Sequence, residues 1–317
     1  MNIDYLRISI TDRCNLRCVY CYPSGGCDLI ERKEILRFEE IYHIVRLFAT
    51  CGIRKVRLTG GEPLVRSDIV DLVEKLAVIK EIEELALTTN GVLLEQMAEG
   101  LKNAGLHRIN ISIDSTERQS YKDITGFDNL ENAMKGIAKA LDIGLAPVKI
   151  NSVIIKDLNL SQIIPLAQMS IDLPVAVRFI EYCPTSRYTK PAGDFVSTTE
   201  IRGAIEANYG PLSTIVPSGC NGPALQYKIK NAAGTIGFIS GRSSIFCHNC
   251  NRIRLTSDGM IKPCLHSSQN YNVKQLIRAG ASDEDVIVLL KKILKEKGSY
   301  TKLNSSANEF NMHRIGG

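Results

Sequence analysis

The sequence predicts an α/β fold in which a mainly parallel sheet occupies the first part of the chain and a smaller α+β segment follows it. Three observations carry this expectation. Six short apolar stretches alternate with helix-periodic stretches over roughly the first 180 residues, and parallel strands require such crossover helices between them. The alternation stops after Cys183-Pro184. Beyond that point come short strands bounded by turn residues, and only then two further helices.

Taken in order, strands are expected at Tyr5–Ile10, Lys55–Leu58, Glu84–Thr88, Arg108–Ile113, Val148–Ile154 and Val175–Ile180. After the first, Ile41, Ile44, Val45 and Phe48 recur at helical spacing on one face, and Gly52 ends that helix. Ser67 is placed to cap the next helix, which would bury Val70, Val73, Leu76 and Ala77. Periodicity alone leaves open whether the sheet stays flat or curls into an incomplete barrel. In either form the carboxyl ends of the strands are the expected active edge. Past residue 183, Ser197-Thr-Thr-Glu200 has the form of a capping box opening a helix to Ala207. Strands follow around Ala224–Ile229 and Thr235–Ile239, then helices near Val273–Ala279 and Asp283–Lys295. The chain thus divides into 1–182, 183–297 and a polar tail, 298–317, which has no periodic apolar face and reads by itself as disordered.

Apolar content of 44% and charged content of 23% suit a globular chain with a substantial core. No apolar run approaches a membrane span, and the start has no signal-peptide build, so a cytoplasmic protein is expected. The net charge of +5 is too modest, and too little interleaved with aromatics, to point to nucleic acid. The run from Lys291 to Lys297 reads as the solvated face of a late helix. In a chain with no export signal, ten cysteines point to metal ligation or catalysis rather than disulfides.

Six of those cysteines form two triplets. Cys14, Cys18 and Cys21 have C-x3-C-x2-C spacing on one short loop. Three thiolates can grip three irons of a [4Fe–4S] cube and leave the fourth open for chemistry, and S-adenosylmethionine is the natural occupant of that iron. A zinc knot would want a fourth ligand, and the first histidine, His43, lies well outside the loop. Gly60 and Gly61 directly follow a strand in Leu58-Thr-Gly-Gly-Glu-Pro63, where two glycines let backbone groups approach a ligand closely. Cys247, Cys250 and Cys264 form the second triplet. They could hold a second cluster, or a Cys3His zinc site completed by His248 or His266. Arg252 and Arg254 alternate on a strand beside it and so point to one side, suited to phosphate or carboxylate.

Five elements together resemble the GTP 3′,8-cyclase family of radical S-adenosylmethionine enzymes. They are the run Arg7 to Cys21, Leu58 to Arg66, Arg178-Phe-Ile-Glu-Tyr182, Phe246-Cys-x2-Cys-Asn-Arg-Ile-Arg-Leu-Thr-x-Asp-Gly259 and the terminal Gly316-Gly317. The resemblance spans essentially the whole chain. It implies an incomplete (β/α)6 TIM-type barrel closed by a smaller C-terminal α+β domain, and two [4Fe–4S] clusters, held by Cys14, Cys18 and Cys21 and by Cys247, Cys250 and Cys264. It implies a lyase-type reaction that turns GTP into 3′,8-cyclo-7,8-dihydro-GTP, the first step of molybdenum-cofactor biosynthesis. Site residues follow by matching positions. Arg7, Arg57, Thr88, Lys149, Arg178, Arg252 and Arg254 would meet GTP. Tyr20, Gly61, Ser112 and Cys183 would meet S-adenosylmethionine, and Gly316 and Gly317 would join Arg7 at the catalytic centre. Implied partners are a flavodoxin- or ferredoxin-type electron donor, a downstream cyclic pyranopterin monophosphate synthase and a second copy of the chain, with neither nucleic acid nor membrane.

The sequence departs from the family at a few places. It starts close to the first strand, its loop after Cys21 looks shortened, the segment before the glycine pair differs somewhat, and Cys183 replaces the usual methionine. Two rival readings are a radical enzyme that modifies a peptide, using the second cluster for electron transfer, and a nucleotide-binding iron–sulfur or zinc sensor. Only three cysteines in the second group, flanked by arginines, speak against the first. Gly-Gly-Glu-Pro has no purpose in the second.

Overall fold

The computed structural model describes residues 3–22, 28–183, 195–215, 223–244, 250–297 and 312–316. Its first six strands are β1 (Tyr5–Ser9), β2 (Lys55–Thr59), β3 (Glu84–Thr89), β4 (Arg108–Ser112), β5 (Val148–Ile154) and β6 (Ala176–Glu181). Six more are β7 (Ser213–Ile215), β8 (Leu225–Lys228), β9 (Thr235–Ile239), β10 (Arg252–Leu255), β11 (Met260–Lys262) and β12 (Tyr271–Asn272). The helices are α1 (Phe38–Thr50), α2 (Ile69–Ala77), α3 (Leu94–Asn103), α4 (Arg118–Thr125), α5 (Leu130–Asp142), α6 (Lys156–Asn159), α7 (Ile163–Asp172), α8 (Thr198–Tyr209), α9 (Val273–Arg278), α10 (Asp283–Glu296) and α11 (Met312–Ile315).

All described strands join one sheet in the order β12-β11-β10-β1-β2-β3-β4-β5-β6-β9-β8-β7. The six strands β1 to β6 are parallel, as crossover helices require. The C-terminal strands add to both edges: β10 lies parallel beside β1, and β9 parallel beside β6. Among the described residues, the segment after residue 183 therefore builds no separate sheet. It widens the incomplete barrel on both sides, and antiparallel β11 and β8 flank it outside.

Strand positions agree with the apolar pattern, and so does α1: Ile41, Ile44, Val45 and Phe48 are fully buried, and Gly52 has a φ of 101°. α2 differs. It begins at Ile69 behind Asp68, which sits at a φ of 61° and makes no side-chain cap. Ser67 is therefore not the cap. The buried face becomes Ile69, Leu72, Val73 and Leu76, with Val70 and Ala77 only half-buried. The capping box at α8 is present, with Glu200 N donating to Ser197 Oγ at 3.2 Å and Ser197 N to Glu200 Oε2 at 2.9 Å. That helix runs on to Tyr209.

Two further differences concern the C-terminal part. Lys291, Lys292 and Lys295 are exposed as expected, but Lys297 is only 3% exposed. The tail does not end free: residues 312–315 form a turn of helix, and Ile315 and Gly316 are buried. Among the described residues no helix is long and apolar enough to cross a membrane.

Candidate active site

Side chains on a strand alternate between the two faces of the sheet. On β1, Leu6 and Ile8 are fully buried on the helix-covered face; Tyr5 and Arg7 point the other way. The same alternation puts Lys55, Arg57 and Thr59 from β2 inside with Glu84 and Thr88 from β3. Arg108, Asn110 and Ser112 from β4, Lys149, Asn151 and Val153 from β5, and Arg178 from β6 join them. Ile239 from β9 and Arg252 and Arg254 from β10 line the same space. The eight adjacent strands from β10 through β1–β6 to β9 thus face one cavity of about 450 Å³, so the sheet is curled around it. A packed barrel interior is filled with branched apolar residues; this one is open and is lined by many charged and polar side chains.

The parallel register fixes the two ends. Cys14, Cys18 and Cys21 follow β1 and so lie beyond the carboxyl ends of the strands. Cys250 precedes β10, which is parallel to β1, and Cys264 follows antiparallel β11, so both lie at the amino ends. The site therefore extends along the full length of the strands and not along their carboxyl edge alone. At about 3.3 Å per residue the two sulfur groups stand on the order of 15 Å apart.

At the first end the cysteine loop is braced from several sides. Leu16 N donates to Cys14 Sγ at 3.3 Å, and Asn90 Nδ2 lies 3.9 Å from the same sulfur. Burial raises the Cys14 thiol to about 11 and pushes Cys18 and Cys21 up as well; the neighbouring thiols add to this by repulsion in the latter two. Tyr20 Oη donates to Asp114, and Val153 N donates to the other carboxylate oxygen at 2.7 Å. Burial lifts the Asp114 carboxyl to about 6. Glu62 accepts from Leu64 N at 3.0 Å, Thr89 Oγ1 at 2.7 Å and Asn90 N at 2.7 Å, which ties the end of β2 to the end of β3. The close approach allowed by the two glycines is to the chain itself. Gly61 N donates to Thr11 O at 2.7 Å, Glu62 N donates to Arg13 O at 2.8 Å, and a Cβ on Gly61 would collide with the Arg13 carbonyl. Gly61→Ala is accordingly expected to cost about 1–3 kcal/mol through overpacking against backbone, lowering Tm by about 5 °C. An unchanged melting curve would remove this constraint.

Cations crowd the middle of the cavity. Arg254, Arg7 and Arg57 occupy one rung across β10, β1 and β2, while Thr88, Asn110 and Lys149 share another. Arg57 donates to Tyr5 Oη and, at 3.4 Å, to Thr88 Oγ1. Arg108 pairs with Glu84 and Lys55 with Asp4. Among the described residues, no carboxylate pairs with Arg7, Lys149 or Arg178. Burial, and then the neighbouring Arg178, Arg108 and Arg57, lower Lys149 to about 6. Burial followed by Arg57 lowers Arg178 to about 10. Such a group of basic side chains without carboxylate partners calls for an anion of several charges, which would also favour the ammonium form of Lys149.

At the second end Cys250, Cys264, His266 and Lys297 line the wall; Cys247 and His248 lie outside the described residues. The tail arrives from the side: Arg254 Nη1 donates to Gly316 O at 2.5 Å, and Arg314 donates to the carbonyl of Asp28, just past the first cysteine loop. Gly316 has a φ of 80°, and a Cβ there would collide with the Thr59 methyl. Gly317 lies outside the described residues. Tyr20, Ser112, Cys183 and the predicted cationic residues all line the cavity. Sequence reading missed Asp114, Lys55, Arg108, Glu181 and Lys297. For the first three the signal was present, since polar residues at every second position of these strands mark the inner face.

The donor set of the first loop fits iron–sulfur chemistry. Three half-buried thiols on one loop are disfavoured as bare thiolates and gain charge compensation only when a soft metal replaces their protons. Among the described residues no three His, Cys, Asp or Glu side chains converge as a single-ion site would need. A cube binds each thiolate through a different iron and needs no such convergence.

Residues 8–169 match the profile of the Radical SAM superfamily, and residues 175–303 that of Molybdenum Cofactor Synthesis C. A GTP 3′,8-cyclase of Pelotomaculum thermopropionicum is 44% identical over 317 residues, covering 99% of this chain and 98% of that protein. One of Desulforamulus reducens is 42% identical over 318 residues, covering 100% of this chain and 98% of that protein. Among solved structures, Streptococcus suis SuiB superposes with a TM-score of 0.66 at 16% identity, covering 95% of this chain and 69% of its own. At that identity the likeness concerns the fold alone.

Proposed function

The chain belongs to the GTP 3′,8-cyclases of the radical S-adenosylmethionine superfamily, and we propose that its cavity holds S-adenosylmethionine at the Cys14 end and GTP between there and the Cys250 end. It is a radical enzyme that makes 3′,8-cyclo-7,8-dihydro-GTP, the opening step of molybdenum-cofactor biosynthesis. One observation carries the placement: one cavity has cysteine sulfurs at both ends and, between them, Arg7, Lys149 and Arg178, with which no carboxylate pairs among the described residues. When bound, the [4Fe–4S] cluster and S-adenosylmethionine supply one-electron cleavage and a group able to abstract hydrogen from a ribose.

The chain's own residues do the rest. Cys14, Cys18 and Cys21 hold the first cluster. Tyr20, kept in place by Asp114, packs with Gly61, Ser112 and Cys183 against S-adenosylmethionine. Arg57, Arg178, Lys149 and Thr88 take the triphosphate, and Arg7, Arg252 and Arg254 surround the rest of the nucleotide. Cys250 and Cys264, with Cys247, hold a second [4Fe–4S] cluster at the nucleobase end. Gly316 lies beside Thr59 with its carbonyl on Arg254, and Gly317 joins it at the catalytic centre by the family match. Electrons come from a flavodoxin- or ferredoxin-type donor, the product passes to cyclic pyranopterin monophosphate synthase, and the working unit is a homodimer.

Lys149 makes this placement testable. Free, it is mostly neutral above pH 6; with triphosphate beside it, the ammonium form is favoured. Binding above pH 6 must therefore take up a proton, and GTP affinity should fall as pH rises, by up to about tenfold per unit between pH 7 and 8.5. Calorimetry in buffers of different ionisation enthalpy should register that uptake, and Lys149→Met should abolish it. Equal proton uptake in the variant would move the triphosphate elsewhere.

A further inference from the structure

Lys297 is the one member of its lysine run that turns inward. It directly follows α10, is 3% exposed and lines the cavity. Burying an ammonium costs several kcal/mol unless a partner compensates it. Among the described residues no carboxylate does so. The hydrogen bond of Lys297 Nζ goes to Cys250 Sγ, at 3.8 Å, a sulfur–nitrogen contact within the same wall that carries Cys264. Arg252, next along the chain, also donates to Cys250, whereas Arg254 is engaged with Gly316 O and Lys262 with Ser267 O at 3.0 Å.

We propose that Lys297 is a positioning residue for the second iron–sulfur centre, its ammonium donating to the Cys250 sulfur and favouring the more negative, reduced state of the cluster. This rests on the reading that the second cysteine group holds a cluster. Hydrogen bonds to cluster sulfurs and nearby positive charge raise the reduction potential, and such outer partners also help retain the metal. The lysine so placed fixes the end of α10 to the sulfur wall and makes the second centre easier to reduce than it would be without that charge.

The test uses the full chain with Cys14, Cys18 and Cys21 replaced by alanine, so that only the second cluster is read. Iron content and the midpoint of an anaerobic EPR redox titration are compared in that parent, in Lys297→Met and in Lys297→Arg. A midpoint shifted to more negative values in Lys297→Met with its iron retained, and restored by Lys297→Arg, is the expected result. Loss of iron in the methionine variant alone would support the same role, because only the charge differs in kind. An identical midpoint and iron content in all three would overturn it, as would equal loss of iron in both variants. A parent that binds no iron would instead refute the second-cluster reading, and this inference with it.

Discussion

Cys14→Ala is expected to strip iron from the first cysteine loop and to abolish reductive cleavage of S-adenosylmethionine, by well over the hundredfold seen when only an outer partner of a metal is lost. The expectation follows from the loop's construction. Cys14 Sγ is held by Leu16 N and faces Asn90 Nδ2, and Asn90 N is itself fixed by Glu62. The carboxylates that face the loop, Glu62 and Asp114, are already held by Leu64, Thr89 and Asn90 and by Tyr20 and Val153. Iron and sulfide analysis with 5′-deoxyadenosine release under dithionite measures it, and retained cleavage would remove the assigned role of this loop.

Gly316→Ala, like deletion of Gly316-Gly317, is expected to stop GTP turnover, by at least about a hundredfold, while leaving both clusters in place. Two independent features of the backbone impose this. The φ of 80° is one that side-chain-bearing residues rarely adopt, and the added methyl would meet Thr59. Displacing the turn breaks the bond from Arg254 to Gly316 O and releases a guanidinium that otherwise faces the cavity. The tail adds little to the core, so Tm should stay within about 2 °C of the parent, a shift matching less than 1 kcal/mol. Normal cyclisation by either variant would reduce the tail to packing.

Much of the fold was legible because strands and helices bury apolar residues at different periods. The six strands, α1 and the capping box of α8 follow directly from that rule. What the pattern could not show is which edge each C-terminal strand joins, since β9 and β10 are consecutive in sequence yet lie at opposite edges of the parallel array. Ser67 failed as a cap because Asp68 takes a left-handed turn and stands at the helix start in its place. The cysteines and the Arg252/Arg254 pair were readable as chemistry. Lys297 was not, because a lysine at the end of a charged helix looks like solvent-facing surface, and only the fold turns it inward. The polar member of each strand, such as Arg7 between Leu6 and Ile8, was in plain view. Its meaning, a hollow barrel lined with charge, emerges only when the strands are aligned.

Anaerobic turnover of GTP deuterated at C3′, with S-adenosylmethionine and a low-potential reductant, tests the central claim most directly. The account predicts deuterium in 5′-deoxyadenosine together with a new isomer of GTP, both seen by mass spectrometry. Unlabelled 5′-deoxyadenosine with GTP recovered intact would contradict it.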